Sequence, residues 1–217
     1  RRVEGWIVKS SRAQAGVGVI KRTLQRSRYR QAWIAANYLV RRGVAVPRPI
    51  AFVERRTMGV IWSNTYVCEF LQGCSDVEKC VAHLVHGGYN SKLIEDFLEH
   101  LAMAVNKLCE SGAYHQDLSG KNIYTRDGRT FYFIDLDGVV IGKPYTEAQR
   151  LKNHIQLYDS FCDLLNDRFL VPFIQRMCPP EIDLRVWMPT VRKGQAERRR
   201  RIERIWEKQG VSRTRTE

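Results

Sequence analysis

The chain has 217 residues, of which 44% are hydrophobic and 27% are charged, and its formal net charge is +13. These proportions are typical of a soluble globular protein. No apolar run approaches the roughly 18 residues of a membrane-spanning helix, and the N-terminal RRVEGWIVKS lacks the apolar core of a signal peptide.

The charge is distributed unevenly along the chain. Residues 1–56 carry 14 basic and 2 acidic side chains, residues 57–184 carry 11 and 17, and residues 185–217 carry 11 and 4. An acidic centre suits metal ions, whereas basic ends suit an anionic substrate or surface. Charge alone would also allow a nucleic acid as the partner.

The first third of the sequence predicts strands and one helix. GWIVKSS is a short β-type run that we expect to end at Lys9. Apolar periodicity predicts a helix over residues 27–42, ended by Gly43. IAFVERR and GVIWSNTYVCEFLQG predict two strands separated by a turn near residues 57–59, and the second runs to Gly73, where we expect a linker.

The rest of the sequence predicts helices around one hairpin. Apolar positions three and four apart predict a helix over residues 92–110, and Gly112 ends it. NIYTRDGRTFYFID predicts a hairpin with its turn at Asp127-Gly128. Helices follow, and we expect breaks at four prolines: Pro172, Pro179, Pro180 and Pro189. This order predicts an α+β protein with a small β-rich lobe ahead of a larger helical lobe.

The six cysteines indicate a reducing compartment. They form no CxxC pair and no Cys/His metal spacing. We therefore expect free thiols and a cytoplasmic protein.

YHQDLSGKN, followed by FYFIDLDGV, concentrates polar side chains that suit one site. Asp117 and Asn122 lie on a loop held between a helix and a hairpin, and Asp135 follows an apolar strand. Phosphoryl transfer needs such a set, with one carboxylate near the acceptor hydroxyl and an amide and a carboxylate on Mg²⁺. Asp and Asn also favour ordinary turns, so a surface turn is the alternative interpretation.

The pattern H-x-D-L-x-x-x-N, followed by a hairpin and I-D, resembles the catalytic loop of the protein-kinase-like fold. With YHQDLSGKN and IDLD in place of HRD and DFG, the sequence is similar to the bacterial lipopolysaccharide kinase family, the Kdo and heptose kinases. VKSS, SRYRQAWIAANYLVRRGVAVPRPIAFVE and EFLQG are similar to the small lobe of that family. The resemblance implies an N-lobe at residues 1–72 that ends in the hinge. It also implies a C-lobe at residues 73–217 with the catalytic loop, a metal-binding hairpin and a basic C-terminal helix.

The resemblance also implies roles for individual residues at the reacting centre. Asp117 would be the catalytic base, and His115 would brace the loop backbone. Asn122 and Asp135 would bind Mg²⁺, and Asp137 would assist them.

For the nucleotide, the resemblance implies that Lys9 contacts the phosphates of ATP and that the backbone near Glu69 and Leu71 holds the adenine. No glycine-rich loop precedes Lys9, so we expect the small lobe to be truncated at its start. AGVGVIK imitates such a loop, but Lys21 follows Gly18 too closely for a strand–turn–strand.

The acid that usually pairs with this lysine should lie in the helix around Trp33, where Gln31 and Ala32 stand instead. Either Lys9 is anchored differently or the enzyme is impaired.

The resulting prediction is an ATP- and Mg²⁺-dependent kinase of a sugar hydroxyl in the lipopolysaccharide inner core, with the core or a lipid A precursor as substrate. The alternatives are a kinase of a protein or small soluble molecule, and an inactive scaffold that binds an anionic partner through its basic ends. We expect a monomer that binds no nucleic acid and lies in the cytoplasm, peripherally on the inner membrane.

The basic C-terminal segment has the pattern of an interfacial helix, because ERRRRIERIWEKQGV sets Ile202, Ile205 and Trp206 beside arginines. The run Arg198 to Arg201 could equally neutralise phosphates on lipid A or the inner core. A solvated helix face is the simplest alternative.

Overall fold

The computed structural model describes residues 2–3, 5–12, 27–58 and 60–208. Its larger sheet has four antiparallel strands in the order β1-β2-β4-β3. The strands are β1 (Arg2–Val3), β2 (Trp6–Arg12), β3 (Pro49–Thr57) and β4 (Val60–Glu69). The expectation that β2 ends at Lys9 is wrong, because Lys9 pairs with Tyr66 of β4 and the strand continues to Arg12.

Helix α1 (Arg28–Arg41) packs against this sheet through a stripe of small and apolar residues: Ala32, Ala35, Ala36 and Leu39. The Ser27 side chain caps its first turn by accepting from the amide of Arg30. Gly43 follows its end with a φ of 68°, a conformation that favours glycine. The predicted helix over residues 27–42 and its stop are confirmed.

The remaining chain is mostly helical. Its helices are α2 (Val77–His86), α3 (Ser91–Glu110), α4 (Glu147–Phe161), α5 (Asp167–Gln175) and α6 (Leu184–Lys208). Short strands accompany them: β5 (Ser75–Asp76), β6 (Ala113–His115), β7 (Ile123–Thr125), β8 (Phe131–Phe133) and β9 (Val139–Ile141). They form the sheets β5-β7-β8 and β6-β9. The mixed α and β composition with antiparallel sheets confirms the predicted α+β class.

The predicted hairpin is present. Strands β7 and β8 pair antiparallel, with Ile123 opposite Phe133. In the turn, the Asp127 carboxylate accepts from the amides of Arg129 and Thr130, and Gly128 has a φ of 68°. The sequence did not predict α2 or the pairing of β6 with β9, and β4 ends at Glu69 rather than at Gly73.

Two of the four expected proline breaks are wrong. Pro172 lies inside α5 and Pro189 lies inside α6. A proline in a helix costs about 3 kcal/mol relative to alanine. Fully buried neighbours such as Phe173 and Val191 hold both helices in the core, and that packing outweighs the cost. Pro179 and Pro180 do lie between α5 and α6, as expected.

Most of the buried apolar side chains among the described residues form one cluster that extends from α1 to α6. In the part of the chain that the structure describes, no helix has the length and apolar character needed to cross a bilayer. All six cysteines are free thiols, as predicted.

Candidate active site

The loop at residues 115–122 connects β6 to β7 and ends in a short 3-10 turn, Gly120–Asn122. The carbonyl of Asn122 accepts from the amide of Ile134 at 2.9 Å. This backbone bond joins the end of the 115–122 loop to the residue that precedes Asp135. The two polar segments singled out in the sequence therefore lie side by side.

His115 is buried beneath the loop and uses both ring nitrogens for backbone contacts. Its Nε2 lies 2.8 Å from the carbonyl oxygen of Ile134, and its Nδ1 accepts from the amide of Asp117 at 3.2 Å. Burial lowers the pKa of His115, which favours the neutral ring. A neutral ring that donates from Nε2 and accepts at Nδ1 satisfies both contacts.

Asn122 orients the carboxylate of Asp117. Its amide nitrogen donates to Asp117 Oδ2 at 3.0 Å and to the Asp117 carbonyl at 2.8 Å. The Asp117 side chain remains 54% exposed, so one face of the carboxylate is open to a reactant. Within the described residues no donor reaches the amide oxygen of Asn122, which leaves that oxygen for another ligand.

A row of polar side chains on α4 holds the loop from below. Gln156 is buried, and its Oε1 accepts from the amide of Leu118 at 3.0 Å. Its Nε2 donates to the carbonyl of Gln116 at 2.9 Å. One amide side chain thus satisfies the backbone on both sides of Asp117.

Asn153 and Ser160 continue this row one turn before and one turn after Gln156. Asn153 Nδ2 donates to the carbonyl of His115 at 2.8 Å, and Ser160 Oγ accepts from the amide of Gly120 at 2.8 Å. A Cβ atom on Gly120 would lie 2.6 Å from the side chain of Glu78, so a larger residue there would have to displace Glu78.

Sequence reasoning missed this row. Its signal is the spacing: Asn153, Gln156 and Ser160 recur at three and four residues along α4, as core positions do, yet all three are polar. Buried polar groups of this kind need partners, and here the partners are the loop backbone.

Asp135 stands in a left-handed conformation, with φ 58° and ψ 49°, between β8 and the 3-10 turn Leu136–Gly138. Such a backbone is unfavourable for residues other than glycine and is found at functional sites. Its Oδ1 lies 4.0 Å from the Nζ of Lys9. Burial, and then the charge of Asp137, raise the pKa of Asp135, and Lys9 opposes them.

The donors around Asp135 are compatible with a magnesium ion. A divalent cation would offset the repulsion between the carboxylates of Asp135 and Asp137, which contributes to the raised pKa of Asp135. The amide oxygen of Asn122, which accepts no hydrogen bond from the described residues, is a further hard ligand. In the described ranges, no group of three or more His, Cys, Asp or Glu side chains could hold a metal. Asp137 is already engaged, because its Oδ2 accepts from Nε of Arg28 at 2.5 Å.

Helix α1 contains no acidic residue, so it provides no carboxylate for Lys9. The carboxylate near Lys9 is that of Asp135, at 4.0 Å, and Ala32 is a buried helix residue that lines the neighbouring cavity. Helix α1 instead contributes Arg28, which forms an ion pair with Asp137. Both carboxylates of the segment after β8 are therefore tied to the sheet or to α1.

A cavity of about 650 Å³ lies between the larger sheet and the segment after β8. Lys9, Glu69, Leu71, Asp135 and Asp137 are among its lining residues. Its volume is that of a small-molecule site. The amide of Leu71 donates to no acceptor among the described residues.

Three of the predicted residues, Asp117, His115 and Asn122, do not line this cavity. Gly18 and Lys21 lie outside the residues that the structure describes.

The arginine run at 198–201 is divided between two environments. Arg198 and Arg199 point to α4, where their Nε atoms lie 3.1 and 2.6 Å from the carboxylate of Asp159. The expectation of one continuous solvated or membrane-facing run is wrong for these two residues. Arg200 and Arg201 are exposed.

Comparisons with known proteins agree on one family and one fold. The model of the "Lipopolysaccharide kinase (Kdo/WaaP) family" matches residues 17–176. A solved structure titled "WaaP in complex with acyl carrier protein" is similar, with a TM-score of 0.66, 20% identity, and coverage of 95% of this chain and 87% of that one.

Two structures of WbdD, one described as a bifunctional kinase-methyltransferase, are also similar, with TM-scores of 0.54 and 0.52. Each is 14% identical and covers 88% of this chain but 41% of that one. At these identities the structural likeness shows the fold alone. No curated protein sequence matches the chain.

Proposed function

Because this chain belongs to the lipopolysaccharide kinase (Kdo/WaaP) family, we propose that it transfers a phosphoryl group from ATP to a sugar hydroxyl of the lipopolysaccharide inner core. One observation carries the proposal. The half-exposed carboxylate of Asp117, oriented by Asn122, is joined through the Asn122 carbonyl to the segment that carries Asp135.

In this proposal Asp117 receives the proton of the acceptor hydroxyl as the hydroxyl oxygen attacks the γ-phosphorus. The bond from that phosphorus to the β,γ-bridging oxygen breaks, and ADP leaves with the bridging oxygen. Asn122 keeps the carboxylate turned to the acceptor, since its amide nitrogen donates to Asp117 Oδ2. His115 braces the loop and transfers no proton, because both of its ring nitrogens already contact the backbone.

Asn122 and Asp135, assisted by Asp137, would hold Mg²⁺, which neutralises charge on the phosphates when bound. Lys9 lies close enough to Asp135 to contact the same phosphates. The free amide of Leu71 and the backbone of Glu69 line the cavity and would hold the adenine.

We infer that the chain folds into two lobes. Residues 1–72, with the four-stranded sheet and α1, would form the small lobe and end in the hinge, and residues 73–217 would form the large lobe. The cavity that carries Lys9 on one wall and Asp135 on the other supports this division, because kinases bind ATP between their lobes.

We place the enzyme in the cytoplasm, peripherally on the inner membrane. The exposed end of α6 supports this location, because Ile205 and Trp206 are each more than 40% exposed beside Arg200, Arg201 and Arg204. Apolar and cationic side chains combined on one helix favour an anionic lipid surface.

The decisive experiment is phosphoryl transfer from labelled ATP with Mg²⁺ to a panel of acceptors. Lipid A–Kdo and inner-core oligosaccharide test the proposal, and casein and a soluble aminoglycoside test a kinase of proteins or small molecules. Label in the lipopolysaccharide acceptors alone is the expected result. ATP binding without transfer to any acceptor would indicate an inactive scaffold.

A further inference from the structure

Helix α6 reaches the reacting centre through one side chain. The Nη2 of Arg198 lies 3.9 Å from Oδ1 of Asp117, across from the oxygen that Asn122 holds. The Arg198 side chain is one-third exposed (33%), so solvent reaches the space beside both groups. At this distance the two charges attract each other but form no hydrogen bond.

The guanidinium of Arg198 is fixed at one edge and free at the other. Its Nε donates to Asp159 Oδ2 at 3.1 Å. Its terminal nitrogens donate no hydrogen bond within the described residues. A guanidinium has five N–H donors in a planar fork, so the edge that faces Asp117 retains the donors that bind carboxylate or phosphate in a bidentate manner.

Neighbouring residues hold this arrangement in place. Asp159 Oδ1 also accepts from Gln195 at 3.0 Å and from Arg199 at 2.6 Å, and Arg199 continues to Asp163 at 2.8 Å. Arg199 therefore anchors α6 to α4. Arg198 is left with its free edge directed to the space in front of Asp117.

We propose that Arg198 binds an anionic group of the acceptor, a carboxylate or a phosphate ester on the sugar that carries the reacting hydroxyl or on the next one. This inference rests on the proposed function and assigns a specificity-determining residue to it. A neutral acceptor would displace water from the terminal nitrogens of Arg198 and provide no anionic acceptor for them, while Nε remains bonded to Asp159. An anionic acceptor satisfies the guanidinium and brings its hydroxyl to the carboxylate of Asp117.

The test pairs three variants with three acceptors. The variants are Arg198→Gln, Arg198→Lys and the control Lys193→Gln, which removes one positive charge from an exposed position of the same helix. The acceptors are the inner-core oligosaccharide, the same oligosaccharide after enzymatic removal of phosphate, and the same oligosaccharide with its carboxyl groups reduced to alcohols. The values of kcat, KM for the acceptor and KM for ATP are measured for each pair.

Arg198→Gln should raise KM for the intact acceptor by about tenfold or more, the loss expected for one charge-assisted contact. KM for ATP should change less than twofold. Arg198→Lys should recover part of the loss, because lysine keeps the charge but not the fork. Parent and Arg198→Gln should have equal KM values for one of the two chemically altered acceptors. The group that was removed from that acceptor is the one that Arg198 binds.

An equal loss on all three acceptors would overturn the proposal and make Arg198 a positioning residue for Asp117. No loss on any acceptor would overturn it as well. Calorimetric binding of the intact oligosaccharide to the ADP-loaded protein provides a measurement that does not need turnover. The parent could bind the oligosaccharide without transferring phosphate, while Arg198→Gln binds it more weakly. That result would contradict the proposed function but not the anion site.

Discussion

The side chain of Gln156 in α4 satisfies the buried backbone amide of Leu118, with 3.0 Å between Oε1 and N. The same side chain donates to the carbonyl of Gln116, so two backbone groups that flank Asp117 depend on one residue more than thirty positions further along the chain. The position of the proposed base is therefore set by a helix that carries none of the predicted catalytic residues.

Replacing Gln156 with leucine should destabilise the fold by about 1–3 kcal/mol, because a buried N–H loses its acceptor. Turnover should fall as well, since Asp117 loses its support, whereas ATP affinity should be retained. Urea unfolding and steady-state kinetics measure the two effects. The matched control is Gln175→Leu, at an exposed position near the end of α5. Unchanged stability in Gln156→Leu would contradict the support role of α4.

Asp117→Asn should reduce phosphoryl transfer by about two to four orders of magnitude, the usual contribution of a general base. An asparagine oxygen can still accept from Asn122, so the loop should keep its shape and the variant should bind ATP normally. Transfer rates and ATP titrations provide the measurement. Turnover within threefold of the parent would show that another group accepts the proton.

Asp135→Asn should abolish the thermal stabilisation by ATP and Mg²⁺ and yet stabilise the ligand-free protein at neutral pH. Folding raises the pKa of Asp135, so the protonated carboxyl group contributes to the stability of the folded protein. This contribution is fully present below pH 3.8, the pKa in the unfolded chain, and is lost as pH rises through the pKa in the folded protein. Above that pH the ionised carboxylate is unfavourable.

Melting temperatures of parent and Asp135→Asn should therefore differ at pH 7 and converge towards pH 4. An ATP–Mg²⁺ shift in Asp135→Asn equal to that of the parent would contradict the metal site. Asp137 would then be the next ligand to replace.

How much of the site the sequence predicts depends on whether the interaction is local. The spacing of Asp117, Asn122 and Asp135 within one loop and hairpin predicts that the two segments are neighbours, and the backbone bond from Ile134 to Asn122 agrees with this. Arg198 lies far along the chain and arrives through the packing of α6 on α4, where Gly194 allows close approach to Ile155. Nothing in the local pattern of an arginine run separates the two residues that face α4 from those that face solvent.

The fold shows the same limit. Strong periodicity predicted α1 and α3, and turn chemistry predicted the β7–β8 hairpin. Strands β6 and β9 are three residues each and pair across a long separation, so neither carries a readable alternation. The breaks expected at Pro172 and Pro189 are wrong because burial on both sides of each proline outweighs the local preference of proline against helix.

The stability of the protein should fall in acid through His154. Its Nδ1 accepts from Trp187 Nε1 at 2.9 Å, and burial, with a smaller contribution from Arg150, lowers its pKa to about 3. As pH falls, His154 is protonated in the unfolded chain at a higher pH than in the folded protein. The free energy of unfolding should therefore decrease as pH falls from about 6.5 towards 3.

The full effect is on the order of several kcal/mol, since each pKa unit corresponds to about 1.4 kcal/mol. His154→Gln can still accept from Trp187 and does not titrate, so its unfolding free energy should depend less steeply on pH. Urea unfolding at several pH values measures this slope, with His86→Gln, at an exposed helix end, as the control. Identical slopes in parent and His154→Gln would contradict the assignment.

The exposed end of α6 should bind anionic vesicles reversibly. Each arginine near such a surface contributes about 1 kcal/mol, and salt weakens the attraction. Replacing Arg200, Arg201 and Arg204 with glutamine should reduce co-sedimentation with anionic liposomes and leave the melting temperature unchanged. Replacing Arg198 and Arg199, which face α4, is the control and should affect stability more than sedimentation. Equal pelleting of parent and triple variant would contradict the membrane proposal.

The hydrogen bonds from α4 to the 115–122 loop also determine whether this loop could be transplanted into another protein. Several of its backbone groups end on side chains of Asn153, Gln156 and Ser160 rather than on other backbone groups. The conformation of the nonapeptide YHQDLSGKN thus depends partly on a helix that is distant in sequence. Grafting the peptide alone onto another scaffold would transfer its sequence without its conformation. A designer who wished to transplant this chemistry would have to carry both segments together.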